Sequence, residues 1–342
     1  AAGIGLTSPE RAVLLAYSKM VLFDQLIASN LIDDEYVSDA LVEYFPVALR
    51  ERYASVMLRH PLKREIIATV VTNSMINRTG SVFNYRMQQE TGAPASDVVK
   101  AYMLVRDIFE FSPLWAAVED MDRKVPAQIQ NEILIDAGRL MLRAVLWFLR
   151  EHHDALPMGD VVETFRPGVR KVRSSLPNLL MPADLTALTS RQEALIRFGV
   201  PADIAEIAAG FDAAYAALDI VEVARKSNRS VDLVAIIYFS LVGKLEIRWF
   251  AKQISALPTD THWQALARNA MRDDLSFQQR QLTLAVVSLS PTESQADAMI
   301  EAWENSHSLA LSRIGEMVTD FKSGTVDLAM LSVVLRELRG LG

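Results

Sequence analysis

The sequence predicts an all-α protein, a bundle-like array of helices in two packed subdomains with no Rossmann sheet. Three observations carry that prediction. Apolar residues recur at helical spacing, as in Ile66, Ile67, Val70, Val71, Met75 and Ile76, and not at alternate positions. Helix start and stop signals are dense, among them Ser8-Pro9-Glu10, Gly199-Val200-Pro201 and Ser290-Pro291-Thr292-Glu293. No fixed-period repeat and no low-complexity tract is present, which argues against a regular solenoid.

Taken in order, Ser8-Pro9-Glu10 supplies a cap, a proline at the first helical position and an acid in the first turn, for a helix to about Ser29. Leu31 to Tyr36 reads as a polar connection, followed by short helices at Ser38–Tyr44 and Pro46–Arg59. A central helix should end near Gly80, and a further segment from Val82 to Glu90 should close at Thr91-Gly92. Ser96 is placed to cap a helix through Phe111, and Ser112-Pro113 to restart one. Pro126 to about Glu151 carries the longest uninterrupted pattern, a candidate spine between the two halves.

Leu156-Pro157 is the expected boundary, dividing the chain into subdomains 1–155 and 156–342; Leu176-Pro177 and Met181-Pro182 also interrupt the pattern. Beyond them, Ser190 with Glu193 fits a capping box, and Ser230 can cap an apolar helix to Val242. A long helix follows from about Thr261 to Leu289. Two last helices are expected after Ser290, the second from about Thr325 to Arg339.

Composition narrows the function classes. With 342 residues, 51% of them hydrophobic and 23% charged, the chain has ample material for a core. A net charge of −7 argues against a nucleic-acid binder, whose footprint would be basic. The absence of cysteine removes disulfides, thiol catalysis and cysteine-based metal sites, and fits a cytoplasmic protein. The N-terminal residues Ala1-Ala2-Gly3-Ile4-Gly5 lack the pattern of a secretory signal and look like a chain entered partway through. The longest apolar runs, Leu140–Leu149 and Val231–Val242, fall short of the roughly 18–20 residues that span a bilayer. Neither nucleic acid nor membrane is an expected partner.

The chemistry-bearing patterns are sparse. Gly3-Ile4-Gly5 and Gly340-Leu341-Gly342 are not dinucleotide-binding turns, because neither follows a strand and the first has Ser8 where a third glycine belongs. His152-His153 are adjacent and so about 100° apart on a helix, which suits a helix end better than a metal. Asp273-Asp274 can act as paired carboxylates or, as the simpler reading, pair with Arg268, Arg272 and Arg280. No catalytic, cofactor-binding or metal-ligating residue is nominated.

Two polar constellations stand as candidate sites. Glu65, Thr69, Asn73 and Asn77 form an i, i+4, i+8, i+12 row beside the apolar stripe of the central helix, with Arg78 next to it. These groups look buried, either bonded to neighbouring backbone or, in the case of Glu65, Asn73, Asn77 and Arg78, holding a small effector such as an amino acid. Arg166, Arg170 and Arg173, with Lys171 close by, make a basic strip that is a solvated face, an interface for an acidic partner, or a site for a small anion or effector.

A set of short motifs, weak singly but specific in their order, runs from the first residues to about position 290. They are LTSPERAVLLAYSK at 6–19, Tyr44-Phe45-Pro46, REIIAT at 64–69, Asn77-Arg78 with Gly80, Glu90-Thr91-Gly92, Ala101-Tyr102 and Leu114-Trp115. They continue with Asp219-Ile220-Val221-Glu222, WQALAR at 263–268 and Arg272-Asp273-Asp274-Leu275. By these motifs the chain resembles the C-terminal region of the large bacterial NAD-specific glutamate dehydrogenases. The resemblance implies a parent enzyme that oxidises L-glutamate to 2-oxoglutarate and ammonia with NAD as cofactor, and that is a homo-oligomer. It also implies that the catalytic residues and NAD-binding fold belong to an upstream dehydrogenase domain of the same polypeptide. This region would then be inactive alone, serving domain packing, assembly or regulation. The alternatives are an effector-binding module and a stand-alone helical adaptor.

Overall fold

The computed structural model describes residues 5–151, 157–289, 293 and 295–342. Every regular element among the described residues is helical. The helix-end reading of His152-His153, residue 156 of the expected boundary, residues 1–4 and the start signal at 290–292 lie outside the described residues.

The chain begins with α1 (Ser8–Ile27), two single 3₁₀ turns, then α2 (Asp39–Tyr44), α3 (Val47–Met57) and α4 (Lys63–Thr79). The cap of α1 sits one residue earlier than expected. Thr7 accepts from the Glu10 backbone N–H and Glu10 reaches back to Thr7, a complete capping box that leaves Ser8 as the first helical residue. The connection after α1 is not simply polar, since Ile32 and Val37 in its 3₁₀ turns are buried. Arg64 from the REIIAT motif closes the end of α1 by donating to the Ile27 and Ser29 carbonyls at 2.9 and 3.1 Å, which satisfies orphan helix-end acceptors.

Gly80, at φ +89°, ends α4, and Gly92, at φ +73°, ends α5 (Phe83–Thr91); a side chain would be strained at either. α6 (Ala95–Ile108) starts from Pro94, so Ser96 lies inside its first turn and does not cap it. α7 (Phe111–Glu119) and α8 (Ala127–Glu151) follow. α9 (Met158–Leu179) runs on through Pro167 and Pro177, correcting the expected break at Leu176-Pro177. Val161, Val162, Phe165, Val169, Val172 and Leu176 are buried along one face of α9, and that burial offsets the backbone bonds the prolines forgo.

Pro182 does start a helix, α10 (Pro182–Arg197), which places Ser190 and Glu193 in its interior and not at a cap. Gly199, at φ +90°, and Pro201 separate it from α11 (Ala202–Ala209), as the sequence predicts. After the short α12 (Phe211–Ala214) come α13 (Ala216–Ser227) and α14 (Val231–Lys244), the latter capped by Ser230, whose hydroxyl accepts from the Leu233 N–H. α15 (Ile247–Ala256) and α16 (His262–Leu289) lead to α17 (Ala296–Ser306), α18 (Ser308–Lys322) and α19 (Leu328–Arg339). Three helices thus follow α16 where two were expected. The extra break is at His307, whose φ of −118° leaves the helical range while its N–H still bonds the Trp303 carbonyl.

The helices form two compact units, residues 1–167 with 195–211, and residues 168–194 with 212–342. In the first, α6 packs on α1, α5, α7 and α8 and is apolar nearly all round, with Val98, Tyr102, Val105 and Ile108 fully buried. α4 lies against α1, α2, α6 and α8 through Ile67, Val71 and Met75. In the second unit, α16 is the hub, touching α13, α14, α15, α17 and α19. Trp303 is buried there, and its indole N–H reaches the Leu341 carbonyl at 3.3 Å, removing the cost of hiding that donor.

Candidate functional site

On α4 the polar row does not lie in the core. Glu65, Thr69 and Asn77 are exposed and Asn73 is half-buried. The reason is spacing: each row member lies two residues from a member of the Ile67/Val71/Met75 stripe, about 200° of helix turn, so the row lies on the opposite face. The buried polar residue of α4 is Thr72, and Ser74, half-buried, bonds the Tyr102 hydroxyl at 3.0 Å. Arg78 pairs with Glu119 at 2.6 Å and lies over the Trp115 ring, 4.7 Å from its centroid. Its guanidinium thus ties the end of α4 to α7, and the Leu114-Trp115 motif supplies the ring.

The basic strip occupies α9. Arg166 turns inward, its Nε donating to the Asp107 carbonyl at 2.8 Å, while Arg170 is exposed and Arg173 half-buried further along the helix. Arg166 thereby joins a network centred on Asp107, which accepts from the Tyr36 hydroxyl at 2.6 Å and from Arg106 through two bonds at 2.7 and 2.9 Å. Burial, then the hydrogen bond and charge of Asp107, push the Tyr36 phenol above its ordinary range. Burial likewise raises Tyr102. With both carboxylate oxygens and the carbonyl engaged, Asp107 acts as a polar tie among the 3₁₀ turn at Tyr36–Ser38, α6 and the first half of α9.

Among the described residues the most deeply buried charges lie in the second unit; the sequence placed Asp219 and Glu222 only within a motif and set Arg280 beside Asp273-Asp274. Asp219 and Glu222 of α13 are 1% and 2% exposed, and Arg280 of α16 is 4% exposed. Arg280 Nη1 donates to Asp219 Oδ1 at 3.1 Å, and the Tyr238 hydroxyl of α14 donates to Asp219 Oδ2 at 3.3 Å. Glu222 accepts from Arg225 at 2.9 Å and pairs with Lys226 at 3.1 Å, so its charge is met from the rim. Arg280 therefore does not pair with Asp274, one of the two aspartates it was expected to serve. Asp274 instead accepts from Gln278 at 3.0 Å and faces Arg339 at 3.3 Å. A usable signal was present: two acids at i, i+3 among Leu218, Ile220, Val221 and Val223 sit where a helix is apolar all round, and a carboxylate there requires a buried partner.

Other geometry limits the chemistry available. Among the described residues no group of three or more histidines and carboxylates is placed to hold a metal, and no helix is long and apolar enough to cross a membrane. The glycines with positive φ, Gly80, Gly92 and Gly199, all follow helix C-termini, the negative end of the helix dipole. Each joins helix to helix, so none makes the strand–turn–helix of a dinucleotide fold. One open cleft of about 220 Å³ lies in the second unit, lined by Lys171, Ser175, Asn178 and Asp232 together with apolar residues including Val172 and Ile236.

Comparison with known proteins gives this geometry its context. Residues 3–340 match the family described as glutamate dehydrogenase, C-terminal. The NAD-specific glutamate dehydrogenase of Pseudomonas aeruginosa is 35% identical over 342 residues, covering 99% of this chain and 21% of that protein. The enzymes of the same name from Halomonas elongata and Mycobacterium tuberculosis are 33% and 30% identical, over 98% and 99% of this chain and again 21% of their own length. The chain thus spans about a fifth of the relatives it matches. On a family match that runs almost from end to end, this chain belongs to the glutamate dehydrogenase C-terminal family.

Proposed function

We propose that this chain is the helical, non-catalytic C-terminal part of an NAD-specific glutamate dehydrogenase, and that it serves the packing and assembly of that enzyme. The parent reaction converts L-glutamate, NAD⁺ and water to 2-oxoglutarate, ammonium and NADH. The observation that carries the reading is coverage: each relative aligns along nearly all of this chain yet over 21% of its own length. NAD and the reacting groups then belong to the upstream dehydrogenase domain of the same polypeptide, in a cytoplasmic homo-oligomer. The polar clusters support a structural role, since Asp107, Asp219 and Arg78 are each engaged by protein groups. Deleting residues 1–342 from the parent enzyme is expected to impair its assembly, thermal stability or turnover; an unaffected enzyme refutes the reading.

A second reading, an effector site beside the basic strip, is favoured by the cleft that includes Lys171. Lys171 Nζ pairs with Asp232 in that cleft, so a free amino acid would divide the pair, its carboxylate on the Lys171 ammonium and its own ammonium on Asp232. Calorimetry of the chain with amino acids is the test: binding heat that disappears in Lys171→Ala supports this reading, and no heat removes it.

A further inference from the structure

Helix α1 is apolar on two opposite sides. One side, through the fully buried Leu22 and Leu26, packs on α4 and α6. On the other, Val13, Leu14, Tyr17, Met20 and Val21 are 56%, 39%, 62%, 60% and 53% exposed. Their spacing places all five within about one third of the helix circumference, so they form a continuous stripe and not scattered surface residues. Single exposed apolar side chains are ordinary, but a contiguous stripe marks a surface that something covers. Tyrosine and methionine, both in this stripe, are residue types enriched where proteins meet. Helix α3 carries a smaller stripe of the same kind: Leu49, Tyr53 and Val56, 41%, 40% and 57% exposed, lie within about 60° of its circumference.

We propose that the outer face of α1 is the docking surface for an apolar face of the upstream dehydrogenase part of the same polypeptide. This rests on the reading given above of the chain as the C-terminal part of that enzyme. Most of the relatives' length lies outside this chain, so a covalently attached occupant is at hand. Size favours it over a second copy. Five side chains fall well short of the roughly 20–30 residues a side that separate molecules use for a stable interface. A tethered partner requires less surface, because attachment raises its effective concentration.

The test uses the full-length enzyme with a photo-crosslinking amino acid at Tyr17 or Met20, and at Leu309, 86% exposed in the second unit, as the control. Irradiation should join α1 peptides to peptides of the same polypeptide upstream of residues 1–342, with no such product from Leu309. Val13→Lys in the Tyr17 crosslinker enzyme should cause loss of that product. A species of doubled mass on a denaturing gel would overturn the proposal in favour of a second copy. Equal and negligible crosslinking at all three positions would overturn it outright. The deletion experiment separates this from the parent reading: a damaging deletion without α1 crosslinks defeats only this face, whereas a harmless deletion defeats the scaffold role whatever α1 touches.

Discussion

Asp219 and Arg280 meet 3.1 Å apart with side chains 2% and 5% exposed, an ion pair inside the second unit joining α13 to α16 across 61 residues of sequence. Removing Arg280 leaves Asp219 buried without this counter-charge. Arg280→Met is therefore expected to destabilise the second unit by about 3–5 kcal/mol. Replacing both, as Asp219→Leu with Arg280→Met, should recover most of that loss. Urea denaturation of the single and double variants of the 342-residue chain checks this; a double variant as unstable as the sum of two singles would contradict it.

Tyr36 carries a pH dependence. Its phenol is raised above the ordinary value of 10.0, chiefly by burial and then by Asp107, so the folded state favours the neutral form. A raised pKa contributes stability that is fully present below the unfolded value and is lost as pH rises through the folded one. Stability should therefore decline as pH climbs above 10, and Tyr36→Phe should flatten the decline. Melting temperatures of both proteins between pH 8 and 11 are the measurement, with parallel curves counting against the assignment. Tyr102, also raised by burial, adds to the decline in the same direction.

Two helical glycines should respond to alanine with opposite sign. A Cβ at Gly168 would overlap Val221 Cγ2, part of a stiff branched side chain that is itself buried, so Gly168→Ala should cost about 1–3 kcal/mol through overpacking. At Gly138 in α8 a Cβ meets nothing within 4 Å, and Gly138→Ala should stabilise by about 0.5–1 kcal/mol through helix propensity. Thermal melts of the two variants test the pair, and equal signs would refute the packing argument.

The Ser230 cap of α14 should be worth about 1 kcal/mol, read as the stability lost in Ser230→Ala. Ser230→Gly should lose only a few tenths of that unit. If the two substitutions prove equivalent in urea titrations, the hydroxyl bond to the Leu233 N–H is not what holds this helix end.

Much of the fold was legible because its signals are local. Gly80, Gly92 and Gly199 end helices where expected, each at positive φ, and Ser230 caps where expected. Errors arose where a local signal competed with burial. Pro177 did not stop α9, since that helix buries an apolar face along its length, and Ser190-Glu193 did not start a helix because Pro182 had already begun one. The polar groups were less legible. The row at Glu65, Thr69, Asn73 and Asn77 was expected to be buried and is mostly exposed, whereas Asp219 and Glu222, noted only within a motif, hold the buried charges.

By itself the sequence determined the helical class, most helix ends and the family, because periodicity, caps and motif order are properties of neighbouring residues. Only the tertiary structure decided that Arg280 answers Asp219 and not Asp274, that Arg166 turns inward to Asp107, and that α1 has an apolar face which no other helix among the described residues covers. Each of these depends on which helix lies against which. Burial is set by neighbours distant in the chain: a local pattern marks the apolar faces of a helix but not which helix will cover each of them.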